Sequence, residues 1–321
     1  MEPIVEQLLA SPEPSVKYKV MVNVMGVAKG SPAIWKLQQE IKASSRVKRL
    51  LSVREKSGKI PLHPYSKWRG AHWTLSILAD IGYPKGDTEL IPMREQVLGW
   101  LLGTSHKKGI KTIEGKTRRC ASQESNAVYS LLTLGLADER ADELVTHLIS
   151  WQWPDGGWNC DKRPEACNSS YHESWIPFRA LALYASIKNH KPALQSVKRA
   201  AELFLKRNLY KRLSDGSVIA EGMARLHYPP YWHYELLGAL KVMAEAGYIS
   251  DPRCPDALDL LESKRLPDGG FPAEAKYYRP FKDEKRSSGT SLVDWGPTGM
   301  RKMNPWVTAD ALYILKAADR L

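Results

Sequence analysis

Phenylalanine is scarce in this chain: 4 Phe stand against 11 Trp and 14 Tyr. Nearly every aromatic ring therefore carries an indole N–H or a phenol hydroxyl, which tilts the expected ligand toward one with hydroxyls or charge and away from pure hydrocarbon. Cysteine is equally sparse. Cys120, Cys160, Cys167 and Cys254 show no Cys-x-x-Cys spacing, which excludes a disulfide framework and a zinc knuckle. Long apolar runs are missing, and none approaches the roughly eighteen residues that span a membrane. The N-terminus, MEPIVEQLLASPEPSVKYKV, has acidic residues and prolines where a signal peptide has a basic start and an apolar middle, so a cytoplasmic location is expected.

Acidic residues are outnumbered, 35 to 47, giving a formal charge of +12. The basic residues are spread over Lys42–Lys56, Lys107–Arg119, Lys206–Arg212 and Lys282–Arg286 rather than gathered in one module. With no helix-turn-helix, RNP or zinc-finger pattern, no nucleic-acid partner is expected. An anionic small molecule, peripheral contact with a membrane surface or a solvated basic face each accommodates the charge.

What the chain does have is a repeat. Turn glycines recur in KSGK (Gly58), IEGK (Gly115), PDGG (Gly156), SDGS (Gly216) and PDGG (Gly269). Pro-Asp-Gly-Gly is a turn signature, since proline presets one turn dihedral and glycine accepts a positive φ. A charged amphipathic segment precedes each glycine, and an Ala- and Leu-rich segment with few charges follows it. The former suit an outer layer and the latter buried inner helices, predicted near 71–82, 124–138, 172–187, 232–247 and 305–318. VEQLLAS and SVKYKVMVNVMG form a candidate sixth pair, and strands are not needed. The last repeat is as apolar as the middle ones, which favours a closed ring over an open solenoid with polar ends. The prediction is one all-α domain over 1–321, an α/α toroid, with residues 272–303 as a long loop or lid insertion containing Tyr277, Tyr278 and Trp295.

The segment QWPDGGWN (Gln152–Asn159), with a weaker copy at Pro267–Phe271, resembles the QW-type repeats of squalene and oxidosqualene cyclases. GGW or GGF followed by YH resembles the β subunits of protein prenyltransferases. Both families are α/α toroids, so the resemblance implies that fold and an isoprenoid-type or other partly apolar substrate in a central cavity. The Asp-x-Asp-Asp acid motif, the Asp-Asp-x-x-Asp magnesium motif and the Asp-x-Cys zinc motif are all missing from the sequence. Two alternatives stand beside this reading: a carbohydrate-active hydrolase or lyase, for which basic residues suit uronic substrates, and a toroid that binds a ligand or protein without catalysis.

Aligning the apolar helices puts Glu124 and Glu173 at one repeat position, on neighbouring helices whose axes lie ~8–10 Å apart. Two carboxylates facing one cavity could divide the roles of general acid and base. The competing reading is a capping box from Ser170 to Glu173. The same alignment sets Gly70, Trp232 and Asn304 opposite these glutamates. The catalytic candidates are thus Glu173, Glu124, His172, His233 and Asp310. Substrate-binding candidates near the expected mouth are His72, Trp73, Arg118, Arg119, Asn126, Trp175, Tyr231, Trp232, Glu235, Trp295 and Trp306, with the two arginines and the following helix N-terminus guiding an anionic group. No cofactor is expected. Zinc is left open, with Cys160, Asp161 and His172 as its ligand candidates.

Overall fold

The Ala- and Leu-rich segments become helices buried on most of their faces. In the computed structural model, which describes residues 2–281 and 288–321, they run Ala71–Asp80, Ala121–Thr133, Tyr171–Lys188, Leu236–Glu245 and Pro305–Ala317. The sixth is Pro14–Lys19, continued by a π-helical turn over Val20–Val24. Outer helices include Pro32–Ala43, Ile91–Leu101, Glu139–Ser150, Lys191–Leu205 and Pro255–Glu262. Lys191–Leu205 shows why they lie outside: it buries Ala193, Val197, Ala200, Ala201 and Phe204 and leaves Lys198, Arg199 and Glu202 in solvent.

Each inner helix touches the next around a ring, and Pro305–Ala317 meets the first helix and its π turn. Between the first helix and Ala71–Asp80, Lys19 Nζ bonds Asp80 at 2.8 Å. Gly82, at φ +81°, lets the Tyr18 ring in where a Cβ would stand 2.3 Å from its Cδ1. The array is therefore a closed α/α toroid.

Helix boundaries move for local reasons. Leu236–Glu245 starts four residues later than predicted, because the two carboxyl oxygens of Glu235 accept the N–H groups of Leu237 and Gly238 and cap the helix there. Ala121–Thr133 stops short at Gly135, whose φ of +66° ends it, and Asp138 caps the next helix instead. The repeat needs no strands, and those that form are short. Lys111–Ile113 and Lys116–Arg118 pair antiparallel around Glu114 and Gly115, both at positive φ as a tight hairpin turn requires. Arg279–Pro280 pairs in parallel with Thr290–Ser291 within the 272–303 insertion, of which 282–287 lie outside the described residues.

The Asp-Gly-Gly-Trp turn is a clamp between layers. Gln152 Nε2 donates to the carbonyls of Gly156 and Ser196 at 2.7 and 2.9 Å, Asp155 receives the N–H and hydroxyl of Ser169, and Trp158 Nε1 donates to the Leu148 carbonyl at 2.8 Å. Trp158 N–H meets Ser174 Oγ on the inner helix at 2.9 Å, and in the second copy Phe271 N–H meets Thr308 Oγ1 at the same distance. Gly157 leaves no space for a side chain, since a Cβ there would lie 2.4 Å from Ser174 Oγ and 2.5 Å from Leu203 Cδ2. Gly157→Ala is expected to destabilise the protein by about 1–3 kcal/mol, as other overpacked sites do. The effect should appear as a lower urea midpoint at unchanged slope, and an unmoved midpoint would show that the turn does not join the layers.

Candidate functional site

The ring is held at its centre by a charged network that the sequence reading caught only in part. Asp310, expected to be catalytic, receives Lys19 Nζ at 3.0 Å and Lys241 Nζ at 3.0 Å. Asp80 receives the same two ammonium groups at 2.8 and 2.9 Å, and the Tyr228 hydroxyl at 2.7 Å. Burial pushes the Asp80 carboxyl up, but the charges of Lys19 and Lys241 outweigh it and hold the group well below the usual carboxylate range. Two lysines and two aspartates from four inner helices thus compensate one another.

Beside this network lies a chamber of about 310 Å³. It is lined by residues from the C-terminal ends of the inner helices, among them Asp80, Thr133, Ser186 and Glu245. The expected mouth was at the opposite, N-terminal ends. There, His227–Glu235 drops into the ring and fills it: Tyr231 stacks on Trp68 at 3.8 Å, Tyr277 lies between His227 and His233 at 4.1 and 3.6 Å, and His233 lies on Trp232 at 4.2 Å. Trp295 and Trp306 pack against each other and against Tyr228, while Trp73 meets Tyr231 edge to face. Asn126, Trp175 and Tyr231 share a space of only about 30 Å³, and Glu235 and Asp310 one of about 20 Å³.

The chamber wall is ionic. Lys19, Lys29, Arg179 and Lys241 face it against Asp80 and Glu245, with Tyr18, Tyr129 and Tyr313 between them. Arg179 binds Glu245 through two nitrogens at 2.5 and 2.6 Å and lies 3.9 Å from the Tyr129 ring centroid. Burial raises the Tyr129 phenol well above its ordinary pKa, so it stays protonated at neutral pH. Sequence reasoning missed Lys19, Asp80, Tyr129, Arg179, Lys241 and Glu245 as a set. A signal was present in LLGALKVMAE, where one lysine interrupts an otherwise apolar inner helix.

Glu124 and Glu173 do occupy equivalent positions. Inner-helix hydroxyls of Ser125 and Ser174 each bond the carbonyl four residues earlier, as do Thr74 and Thr308. That register sets Trp73 and Val307 opposite the glutamates, correcting the expected Gly70 and Asn304 by one helical turn. Neither glutamate lines the chamber. Glu124 is 1 % exposed and pairs with Arg119 Nε and His106 Nε2, both at 2.8 Å. Glu173 accepts the Ser122 N–H at 3.1 Å, and burial raises its carboxyl. Ser170 makes no side-chain cap, so the capping-box alternative does not describe this end of the helix.

The remaining candidates are dispersed. His72 Nε2 meets Asn126 Nδ2 at 3.0 Å inside the ring wall. Arg118 is buried against Trp153 and donates to the Ala166 carbonyl, so it does not reach a chamber ligand. The proposed metal set separates: His172 Nδ1 accepts the Tyr234 N–H, Asp161 pairs with Arg163, and Cys160 lies instead with Cys120 and Glu173. In the 272–303 insertion, Tyr278 donates to Asp294 at 2.6 Å and accepts the Trp295 N–H, so its described ends are packed onto the filled mouth.

Fold and chamber together define the protein as an α/α toroid with a polar central site. No family model and no curated protein matches the chain. Among solved structures it is similar to a glycosyl hydrolase family 88 protein from Bacteroides vulgatus, at 11% identity and a TM-score of 0.49 over 99% of this chain and 97% of that one. It is also similar to the type II terpene cyclase MstE from Scytonema in complex with its product merosterolic acid A, at 14% identity and a TM-score of 0.29 over 99% of both chains. Likenesses this distant carry no argument about chemistry. Among the described residues, no helix is long and apolar enough to cross a membrane.

Proposed function

We propose that this chain is a toroid enzyme acting on a small hydrophilic anion of the uronic-acid sugar class, bound in the chamber at the C-terminal ends of the inner helices. The observation that carries this reading is the wall itself, where four cationic side chains face two carboxylates among three tyrosines. An isoprenoid chain would have to displace water from these ionised groups without replacing their hydrogen bonds, which is costly in a confined site. Glu245 takes the Nε and Nη2 edge of Arg179, so a sugar carboxylate would pair with the exposed Lys29 and with Nη1 of Arg179, and sugar hydroxyls match the tyrosines. Acid–base groups in this reading face the chamber: Tyr129 as the protonated partner, with Glu245 beside Arg179 as the carboxylate. Glu124 and Glu173 sit at the other end of their helices, and their expected acid–base role is not used.

The test is native mass spectrometry and calorimetry with uronate oligosaccharides and prenyl diphosphates, followed by a turnover assay on whichever binds. Uronates should bind with an affinity that falls as salt rises. Arg179→Met should weaken them about 10–100-fold, the range for losing charged hydrogen bonds, and the exposed Lys29→Met by less. Retention of prenyl diphosphates with no uronate binding would overturn the substrate class, and binding without turnover would overturn the enzyme reading.

A further inference from the structure

At the filled end of the ring, away from the chamber, three potential metal ligands from three separate segments meet. Cys120 immediately precedes the helix Ala121–Thr133, Cys160 lies in the loop after the Asp-Gly-Gly-Trp turn, and Glu173 sits in the first turn of Tyr171–Lys188. Their two sulfurs and one carboxylate oxygen all lie within 4.8 Å of one another. In a tetrahedral zinc site, with Zn–S near 2.3 Å and Zn–O near 2.0–2.2 Å, neighbouring ligand atoms stand roughly 3.4–3.8 Å apart. Cys160 Sγ and Glu173 Oε1 are already at 3.8 Å.

The carboxylate is oriented for this. Glu173 is 8 % exposed, and its Oε2 accepts the backbone N–H of Ser122 at 3.1 Å, which turns Oε1 toward the sulfurs. Metal-ligating carboxylates are characteristically fixed in this way by a hydrogen bond to the oxygen that does not bind. Cys120 stands at the cap position of a 13-residue helix and makes no side-chain bond to its first turn, which leaves its sulfur to face Cys160 and Glu173. Both cysteines are only half-buried, which leaves a way in for the ion.

We infer that Cys120, Cys160 and Glu173 form a binding site for one zinc ion or a similar borderline-soft divalent cation. This does not rest on the substrate reading, because none of the three residues lines the chamber. Mixed thiolate and carboxylate donors select zinc or cobalt over magnesium and calcium, which prefer oxygen alone.

Co²⁺ and then Zn²⁺ are titrated into the full chain, kept anaerobic with a phosphine reductant so that the thiols cannot pair as a disulfide. One Co²⁺ per chain should bind with thiolate-to-cobalt charge-transfer absorption, and Zn²⁺ should abolish that absorption by displacement. Cys120→Ser and Cys160→Ser should each remove most of the band, and Glu173→Gln should weaken binding at least about tenfold. Cys167→Ser and Cys254→Ser should leave it unchanged. Circular dichroism checks that each variant folds, and X-ray absorption on the unmodified zinc-loaded chain should show two sulfurs near 2.3 Å. No charge-transfer band, a band that survives in the Cys120→Ser/Cys160→Ser double variant, or a zinc shell without sulfur would each overturn the assignment.

Discussion

Asp310→Asn is expected to cost about 3–5 kcal/mol of stability, the range for removing one partner from a buried ion pair. Lys19 and Asp310 have side chains only 2 % and 4 % exposed, and Lys241 is 11 % exposed. With Asp310 neutral, two ammonium groups would share the single charge of Asp80. The loss would be felt throughout the ring, because the four charges come from four different inner helices. Removing a balanced pair should be far milder. Asp310→Leu combined with Lys241→Met leaves one lysine on one aspartate and should recover most of the stability, so the double-mutant cycle should show a coupling of at least about 1 kcal/mol. Urea unfolding measures both, and a loss under about 1 kcal/mol for Asp310→Asn would mean that solvent, not the network, compensates these charges.

The parts of the fold legible in the sequence were those written in local patterns. Apolar inner helices and one-sided outer helices follow from composition and period alone, and alignment of the apolar segments was enough to put Glu124 and Glu173 at one repeat position. Gly70 and Asn304 slipped by one turn because apolar patterning alone does not fix register; the hydroxyls of Thr74 and Thr308, matching Ser125 and Ser174, do so in the structure. The chamber was hidden for a different reason. Its polar groups arrive singly, Asp80, Tyr129, Arg179 and Lys241 each from a separate helix, and only ring closure brings them together. Which end of a ring is filled by a loop is also not a local property. The shortage of Phe was read as a sign of a polar ligand, yet the indole N–H groups of Trp68, Trp73, Trp153, Trp158 and Trp175 all donate to main-chain carbonyls. Those rings are polar at one edge because they join segments of backbone.

Mild acid should weaken the fold through His72. Burial holds its imidazole pKa down to about 3, and its Nε2 accepts the Asn126 amide, whose oxygen in turn accepts from Ser76. A proton on Nε2 would oppose that donor, and Nδ1 has no partner to receive a second charged N–H bond. In the unfolded chain the same group titrates near 6.5. Below that value the unfolded state binds the proton first, so stability falls as pH drops and continues to fall until the folded value near 3 is approached. The linkage amounts to about 2 kcal/mol at pH 5 and about 3 kcal/mol at pH 4. His227 and His233, each lowered to about 4 chiefly by burial, act in the same direction. Glu235, raised to about 8 by burial, acts in the opposite one, since its folded form holds a proton that the unfolded chain has lost. The total profile therefore mixes signs, and the informative quantity is a difference. His72→Gln keeps an acceptor for Asn126 without a titrating group, so urea-unfolding free energies of this variant should decline less than those of the parent between pH 7 and pH 5, by about 2 kcal/mol. Parallel pH profiles for the two proteins would place the acid sensitivity in other groups and show that His72 accepts its proton without cost in the folded state.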